Sequence, residues 1–305
     1  MIKEISTTGL LIALFTGNTA FADAEYQPVQ HMLDLSGLAW LGDDRFLAVH
    51  DSKNPYELES VRVSFLKTPG SSNKMMWAPL NVDFPGGLSS DLESASRVPD
   101  TNLVILAESN DNAGDFRRLF LAEFDDSMVT VLSSLSWTEF SDPFNVEATA
   151  VASTQDGYIF IWAERNSGKQ NTEIKWSKMT LEPFSISAPL GSVSFTLSGS
   201  MSQKNSDPLY NRSIVGMDVD NFGNLYTVAV NDTGADNGPF RSVIFKVGYV
   251  DKDGDVNLLG SPEMLGTVDG LKVESISLVE GKNERWLYFG TDDENYNGTL
   301  RRLSN

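Results

Sequence analysis

Ser36, Glu93, Glu147 and Glu274 open short apolar stretches and recur at a regular interval: 57 residues separate the first two, 54 the next two, and 127, or two further intervals, the last pair. Carboxylates gathered on a common axis repel one another, so either their protons are retained or a cation sits among them. Oxygen donors select a hard ion, and a roomy ring that includes neutral oxygens favours Ca²⁺ over Mg²⁺. The chain has no cysteine and only two histidines, His31 and His50. Thiolate chemistry and a histidine-rich transition-metal centre are thereby excluded.

A second polar set repeats nearly in step with the first. Asp51, Glu108 and Glu164 lie 57 and 56 residues apart at the ends of apolar runs, and His50, Asn231, Asp232, Asp292 and Asp293 take corresponding places. Lys53, Arg117, Arg165 and Arg241 follow in the same loops. Guanidinium groups beside a cation suit an anionic ligand such as a phosphate or carboxylate ester. Asp51, Glu108 or Glu164 is then the candidate general base, and Arg165 or Arg117 the group that stabilises developing charge. Taken singly, each of the basic residues also fits a surface ion pair.

The elements that must position these residues follow from an internal repeat. Five segments share one pattern, an apolar stretch, a turn rich in Asp, Asn and Gly, and a second apolar stretch: LSGLAWLGDDRFLAVHDSK from Leu35, LESASRVPDTNLVILAESND from Leu92, VEATAVASTQDGYIFIWAERNSG from Val146, SIVGMDVDNFGNLYTVAVNDTG from Ser213 and VESISLVEGKNERWLYFGTDDEN from Val273. Between them lie β-branched or alternating runs such as Val61–Phe65 and Met75–Leu80, so each unit supplies four strands. This predicts an all-β, five-bladed β-propeller with almost no helix, whose first strands line a central channel. The last unit ends one strand short, and residues 26–30 are expected to complete it and close the ring. A sixth, degenerate blade between Lys178 and Tyr210 is the alternative; that interval reads better as a long hairpin.

The fourth unit leaves its ring residue open. Matching Gly216 to Gly37 selects Val215, while counting back from the turn at Gly223 selects Ser213. Both point to the same strand face, and Ser213 is taken as the ligand, directly or through water. The loop Asp251–Asn257 lacks the glycine and carboxylate positions of an EF-hand and reads as a hairpin turn. Neither histidine has the surroundings of a nucleophile elbow.

At these motifs the chain resembles known propeller families. LSGLAW, DLESAS, NVEATA and KVESIS look like the SdiA-regulated (YjiK-like) family, and GLAW, DRFLAVHD and AES look like the "esterase-like activity of phytase" family. The axial order is similar to the Ca²⁺ site of calcium-activated nucleotidases. The resemblance implies Ca²⁺ ligation by Ser36, Glu93, Glu147, Ser213 and Glu274. It also implies a calcium-dependent hydrolase of ester or phosphoester bonds, phytase-like or nucleotidase-like. A non-catalytic, Ca²⁺-stabilised propeller that binds a partner or small ligand is the alternative, and a glycosidase with paired carboxylates is a third.

Composition sets the remaining bounds. A net charge of −19 argues against nucleic acid, which requires basic patches. Lys3, the apolar run Gly9–Phe15 and Ala20-Phe21-Ala22 read as a secretory signal peptide over residues 1–22, leaving residues 23–305 as one propeller domain. The chain is therefore expected in the periplasm or medium, as a monomer without a membrane span, with a small anionic ligand or phosphoester as its partner.

Overall fold

The computed structural model describes residues 24–28, 32–52, 60–68, 75–109, 116–141, 143, 145–165, 172–195, 197, 213–231, 238–281, 284–292 and 297–304. Residues 1–22, expected to be a signal peptide, and His31, Lys53, Asp232 and Asp293 lie outside them. Five antiparallel sheets are arranged as a five-bladed β-propeller, and the described residues contain no α-helix. Blade one holds β1 (Gln27–Pro28), β2 (Gly37–Gly42), β3 (Arg45–Val49), β4 (Val63–Lys67) and β5 (Met76–Leu80). Blade two holds β6 (Leu92–Arg97), β7 (Leu103–Glu108), β8 (Arg118–Phe124) and β9 (Val129–Ser136). In blade three, β10 (Val146–Thr154), β11 (Gly157–Glu164) and β12 (Thr172–Leu181) are followed by an outer strand in two pieces, β13 (Phe184–Ile186) and β14 (Gly191–Phe195). Blade four is β15 (Ser213–Val219), β16 (Asn224–Asn231), β17 (Arg241–Val250) and β18 (Val256–Asp269), and blade five is β19 (Val273–Glu280), β20 (Arg285–Thr291) and β21 (Leu300–Arg302).

The second strand of each blade shows why the sequence folds this way. Runs such as Phe46–Val49, Val104–Ala107 and Ile159–Ala163 are apolar at every position because both sheet faces are buried. Successive residues pack against opposite neighbours: Leu47 and Val49 join the core between blades one and two, whereas Phe46 and Ala48 join that between blades one and five. Three further clusters fill the spaces between blades two and three, three and four, and four and five. The innermost strands β2, β6, β10, β15 and β19 contact one another in ring order and so close the ring.

The N-terminal segment does not complete the last blade. Among the described residues blade five has three strands, and β1 instead adds to the outer edge of blade one, with Gln27 opposite Trp77 and Pro28 opposite Met76. Burial decides this: Ala24 and Tyr26 pack on the core between blades one and two, and the Lys67 ammonium lies 4.2 Å from the Tyr26 ring centroid. Ring closure is made nearer the axis. Leu35 N–H donates to the Thr291 carbonyl (3.1 Å), Gly298 N–H to that of Met32 (3.1 Å), and Trp40 N–H to Ser277 Oγ (2.9 Å).

Candidate axial acidic centre

The ring residues owe their direction to a repeated irregularity. The register between first and second strands breaks at Glu93, Glu147, Val215 and Glu274, a β-bulge in each of four blades. A bulge twists the strand locally and re-aims one side chain. Ser36 stands in the same place, just before Gly37 begins its pairing with Val49. Val215, and not Ser213, therefore holds the ring position of blade four. Ser213 lies two residues earlier, in line with Asp34, Asp91, Asn145 and Lys272.

Those upstream positions recruit the loops that follow the second strands. The carbonyls of Asp91, Asn145 and Lys272 accept from the N–H groups of Ser109 (2.9 Å), Arg165 (2.8 Å) and Asp292 (2.9 Å). In blade one the Asp34 carboxylate does the same work, accepting from Asp51 N–H (2.8 Å) and Ser36 Oγ (2.6 Å). Asp51, Ser109, Arg165 and Asp292 are thus equivalent, and their side chains are held at the axis. Glu108 and Glu164 fall one residue earlier, with His50 and Thr291, and strand alternation sends them to the other side.

Glu108 is fully buried, and its two oxygens accept from Ser90 N–H (3.1 Å), Arg118 N–H (2.9 Å), Arg118 Nε (3.0 Å) and Arg118 Nη2 (2.7 Å). Burial raises its pKa against the opposing pull of Arg118, but no acceptor position is left for a substrate proton. Glu164 pairs with Lys175 at 2.7 Å on the third blade. Asp51 and Arg165 are the two predicted catalytic residues that do reach the centre.

Glu93, Glu147 and Glu274 are all buried. Burial, first, and then Glu147, Asp91, Glu274 and Asp51 raise the Glu93 carboxyl well above its ordinary range. Burial also raises Glu274 and Glu147, but each has a cation to oppose it: Lys272 Nζ stands 3.0 Å from Glu274 Oε1, and Arg165 Nη1 3.4 Å from Glu147 Oε1. Lys272 also touches Asp292 at 2.6 Å. Burial pulls its pKa down, yet the two carboxylates outweigh that and keep the ammonium protonated. Glu93, 8% exposed, has neither a hydrogen bond nor an ion pair among the described residues. Its carboxylate meets those of Asp51 and Asp91, with one oxygen of each lying within 4.8 Å of the others. An ion bound at the 2.3–2.6 Å typical of Ca²⁺–oxygen bonds would reach all three, since its ligands can stand up to about 5 Å apart. Sequence reasoning missed Asp34, Asp91 and Lys272; their signal is a polar residue two places before each ring position.

Below the centre the channel is closed by hydroxyls. Thr149 N–H and Oγ1 donate to Ser94 Oγ (3.0 and 2.8 Å), and Thr149 Oγ1 also contacts Ser96 Oγ at 2.6 Å. A void of about 10 Å³ remains. His50 braces the first blade in its neutral form: Nδ1–H donates to the Asp34 carbonyl (2.6 Å), and Nε2 accepts from Ser64 Oγ (2.9 Å). Burial lowers its pKa to about 4.

The sign of the His50 effect on stability follows from linkage. Below an ordinary histidine pKa of about 6.5 the unfolded chain takes a proton that the folded chain refuses, so stability falls with pH until about 4. The loss attributable to His50 is of the order of 3 kcal/mol. Denaturant unfolding at a series of pH values should show a shallower acid loss in His50→Asn than in the parent. Equal slopes would mean that His50 takes up its proton over the same pH range in the folded and the unfolded chain.

No family model matches the chain, and no curated protein matches it. Among solved structures it is similar to a GH43 β-xylosidase/α-arabinofuranosidase from a compost microbial metagenome, CoXyl43, at 12% identity and TM-score 0.52, over 93% of this chain and 95% of that one. A thermostable family-43 glycoside hydrolase matches at 11% identity and TM-score 0.52, over 87% of each chain. The GH32 β-fructofuranosidase BmSUC1 of Bombyx mori matches at 11% identity and TM-score 0.51, over 92% of this chain and 62% of that one. What they share with this chain is the fold. At these identities the likeness carries no residue of the acidic centre from one protein to another.

Proposed function

We propose that the axial centre binds a divalent cation, Ca²⁺ by its donor set, and that the chain is an exported, metal-dependent hydrolase of ester or phosphoester bonds. The convergence of the Asp51, Asp91 and Glu93 carboxylates carries this reading, since three hard oxygens at that spacing with no protein cation on Glu93 suit such an ion. When bound, the ion would polarise an ester or phosphoryl oxygen. Arg165 and Lys272 flank it on the blade-three and blade-five sides, and they would hold the anionic part of the substrate. Glu147 and Glu274, each beside one of these cations, would exchange a proton with substrate or water. The family resemblance of the blade motifs supports the same reaction class, and glycosides are the comparison substrates because the similar propellers are glycoside hydrolases.

A second reading has one observation in its favour. The three carboxylates come from the loop after β3 and the start of β6, so a cation there would staple blade one to blade two without any chemistry. Hydrolysis of nucleotides, phytate, aryl esters and aryl glycosides, each with Ca²⁺ and with chelator, separates the two. The hydrolase reading expects Ca²⁺-dependent turnover of an anionic ester, falling about 10²-fold in Arg165→Ala. No turnover across the panel leaves the staple; turnover of glycosides untouched by chelator overturns the metal-dependent reaction.

A further inference from the structure

The face opposite the acidic centre holds a cavity that this chemistry does not use. The innermost strands run away from the centre, and where they end a cup of about 590 Å³ opens. Ala95, Val151 and Leu278 give it an apolar wall, and Trp40 an aromatic edge. Asp218, on β15, lines the cup and accepts hydrogen bonds from the N–H groups of Val219 (2.8 Å) and Leu278 (2.7 Å). No lysine or arginine among the described residues forms an ion pair with it. The void of about 10 Å³ in the channel between cup and centre is too small to pass a ligand.

The charges around Asp218 define what the cup would accept. Asp220 and Glu280 lie near it, and both are paired with Arg285. Asp43, Asp100 and Glu280 line the cup with it, against a single cation, Arg97. That guanidinium is held in place: it donates to the carbonyls of Trp40 and Thr101 (both 3.3 Å) and lies over the rings of Trp40 and Phe124, with Asp100 nearby. The cup is therefore net negative, and Asp218 on its wall has no counter-ion among the described residues. Holding that carboxyl away from water pushes its pKa up to about 7. A lone carboxylate with backbone donors on both oxygens and an apolar surround is a poor metal site, but it suits an ammonium group with a hydrocarbon body.

We propose that this cup is a second binding site, for a small organic cation, an amine whose ammonium pairs with Asp218 while its apolar body lies against Trp40, Ala95 and Leu278. The site is independent of the acidic centre and of any hydrolytic activity.

Benzylamine is the probe, titrated calorimetrically into the full chain with Ca²⁺ present so that the acidic centre does not compete. One molecule should bind per chain, and benzyl alcohol, which keeps the shape without the charge, should bind at least about tenfold more weakly. Asp218→Asn should weaken benzylamine by a similar factor, and Glu93→Gln should not. Asn221→Trp, at the exposed mouth, should also reduce binding, and it serves as the test if Asp218→Asn does not fold. Affinity should fall as the pH is lowered through 7, where Asp218 takes up its proton. Equal binding of the amine and the alcohol, or unchanged benzylamine affinity in Asp218→Asn or in Asn221→Trp, would overturn the proposal.

Discussion

Millimolar Ca²⁺ should raise the melting temperature of this protein by several degrees, and Glu93→Gln should remove most of the rise. An ion that binds the folded chain alone stabilises it by mass action, by about 2.7 kcal/mol at a hundredfold excess over its dissociation constant. For a chain of this size that corresponds to about 5–10 °C. Glu93 is the decisive position because its carboxylate is buried beside Asp51 and Asp91 with no lysine or arginine on it, whereas Glu147 and Glu274 have Arg165 and Lys272. Gln keeps the volume and removes the charge. Without Ca²⁺, Glu93→Gln should be no less stable than the parent, since it relieves repulsion among the carboxylates. Glu147→Gln should leave more of the Ca²⁺ response intact than Glu93→Gln does. A rise that survives Glu93→Gln but disappears in Glu147→Gln would move the ion to the middle of the ring.

Arg118→Met should be the most damaging single change outside the cores. Its guanidinium neutralises the buried Glu108 and also donates to the carbonyls of Pro85 (2.9 Å), Gly87 (3.2 Å) and Leu88 (2.9 Å). Removing one member of a buried pair strands the other charge, at a cost of about 3–5 kcal/mol, or about ten degrees in melting temperature. Glu108→Gln keeps one acceptor oxygen but sets an amide NH2 against two N–H donors, so it should be destabilising as well. The double variant Glu108→Leu/Arg118→Met should recover part of the loss, because no charge is then left buried. A loss of under about 1 kcal/mol in Arg118→Met would show that water reaches Glu108, and would return that carboxylate to the list of candidate bases.

The architecture was legible because burial on both sheet faces writes the second strand of every blade as an unbroken apolar run, and because those runs recur. The carboxylate ring was legible for the same reason: Glu93, Glu147 and Glu274 open the strands that precede those runs. Blade four was not: Gly157 pairs with Thr154 across a tight turn, whereas Gly223 lies inside the longer turn between Val219 and Leu225, so counting back from the glycine lands on Ser213, two residues before the bulge at Val215. The path from ring residue to loop is one residue longer in blade two than in blade one, which made Asp51, Glu108 and Glu164 look equivalent by spacing. In the fold Asp51 aligns with Ser109 and Arg165, and the two glutamates alternate to the other side. Lys272 and Asp91 were hidden in a different way. Their position is polar in every blade but chemically varied, so only the bonds it makes to the loops after the second strands reveal it. The N-terminal segment was placed by counting strands, while the chain obeys the burial of Ala24 and Tyr26.

The most direct measurement is the anomalous diffraction signal of a crystal grown with Ca²⁺. One peak is expected within coordination distance of Asp51, Asp91 and Glu93, on the blade-one and blade-two side of the axis and clear of Lys272. No peak at that position, or a peak centred on Glu147 and Glu274 with Arg165 and Lys272 displaced, would contradict it.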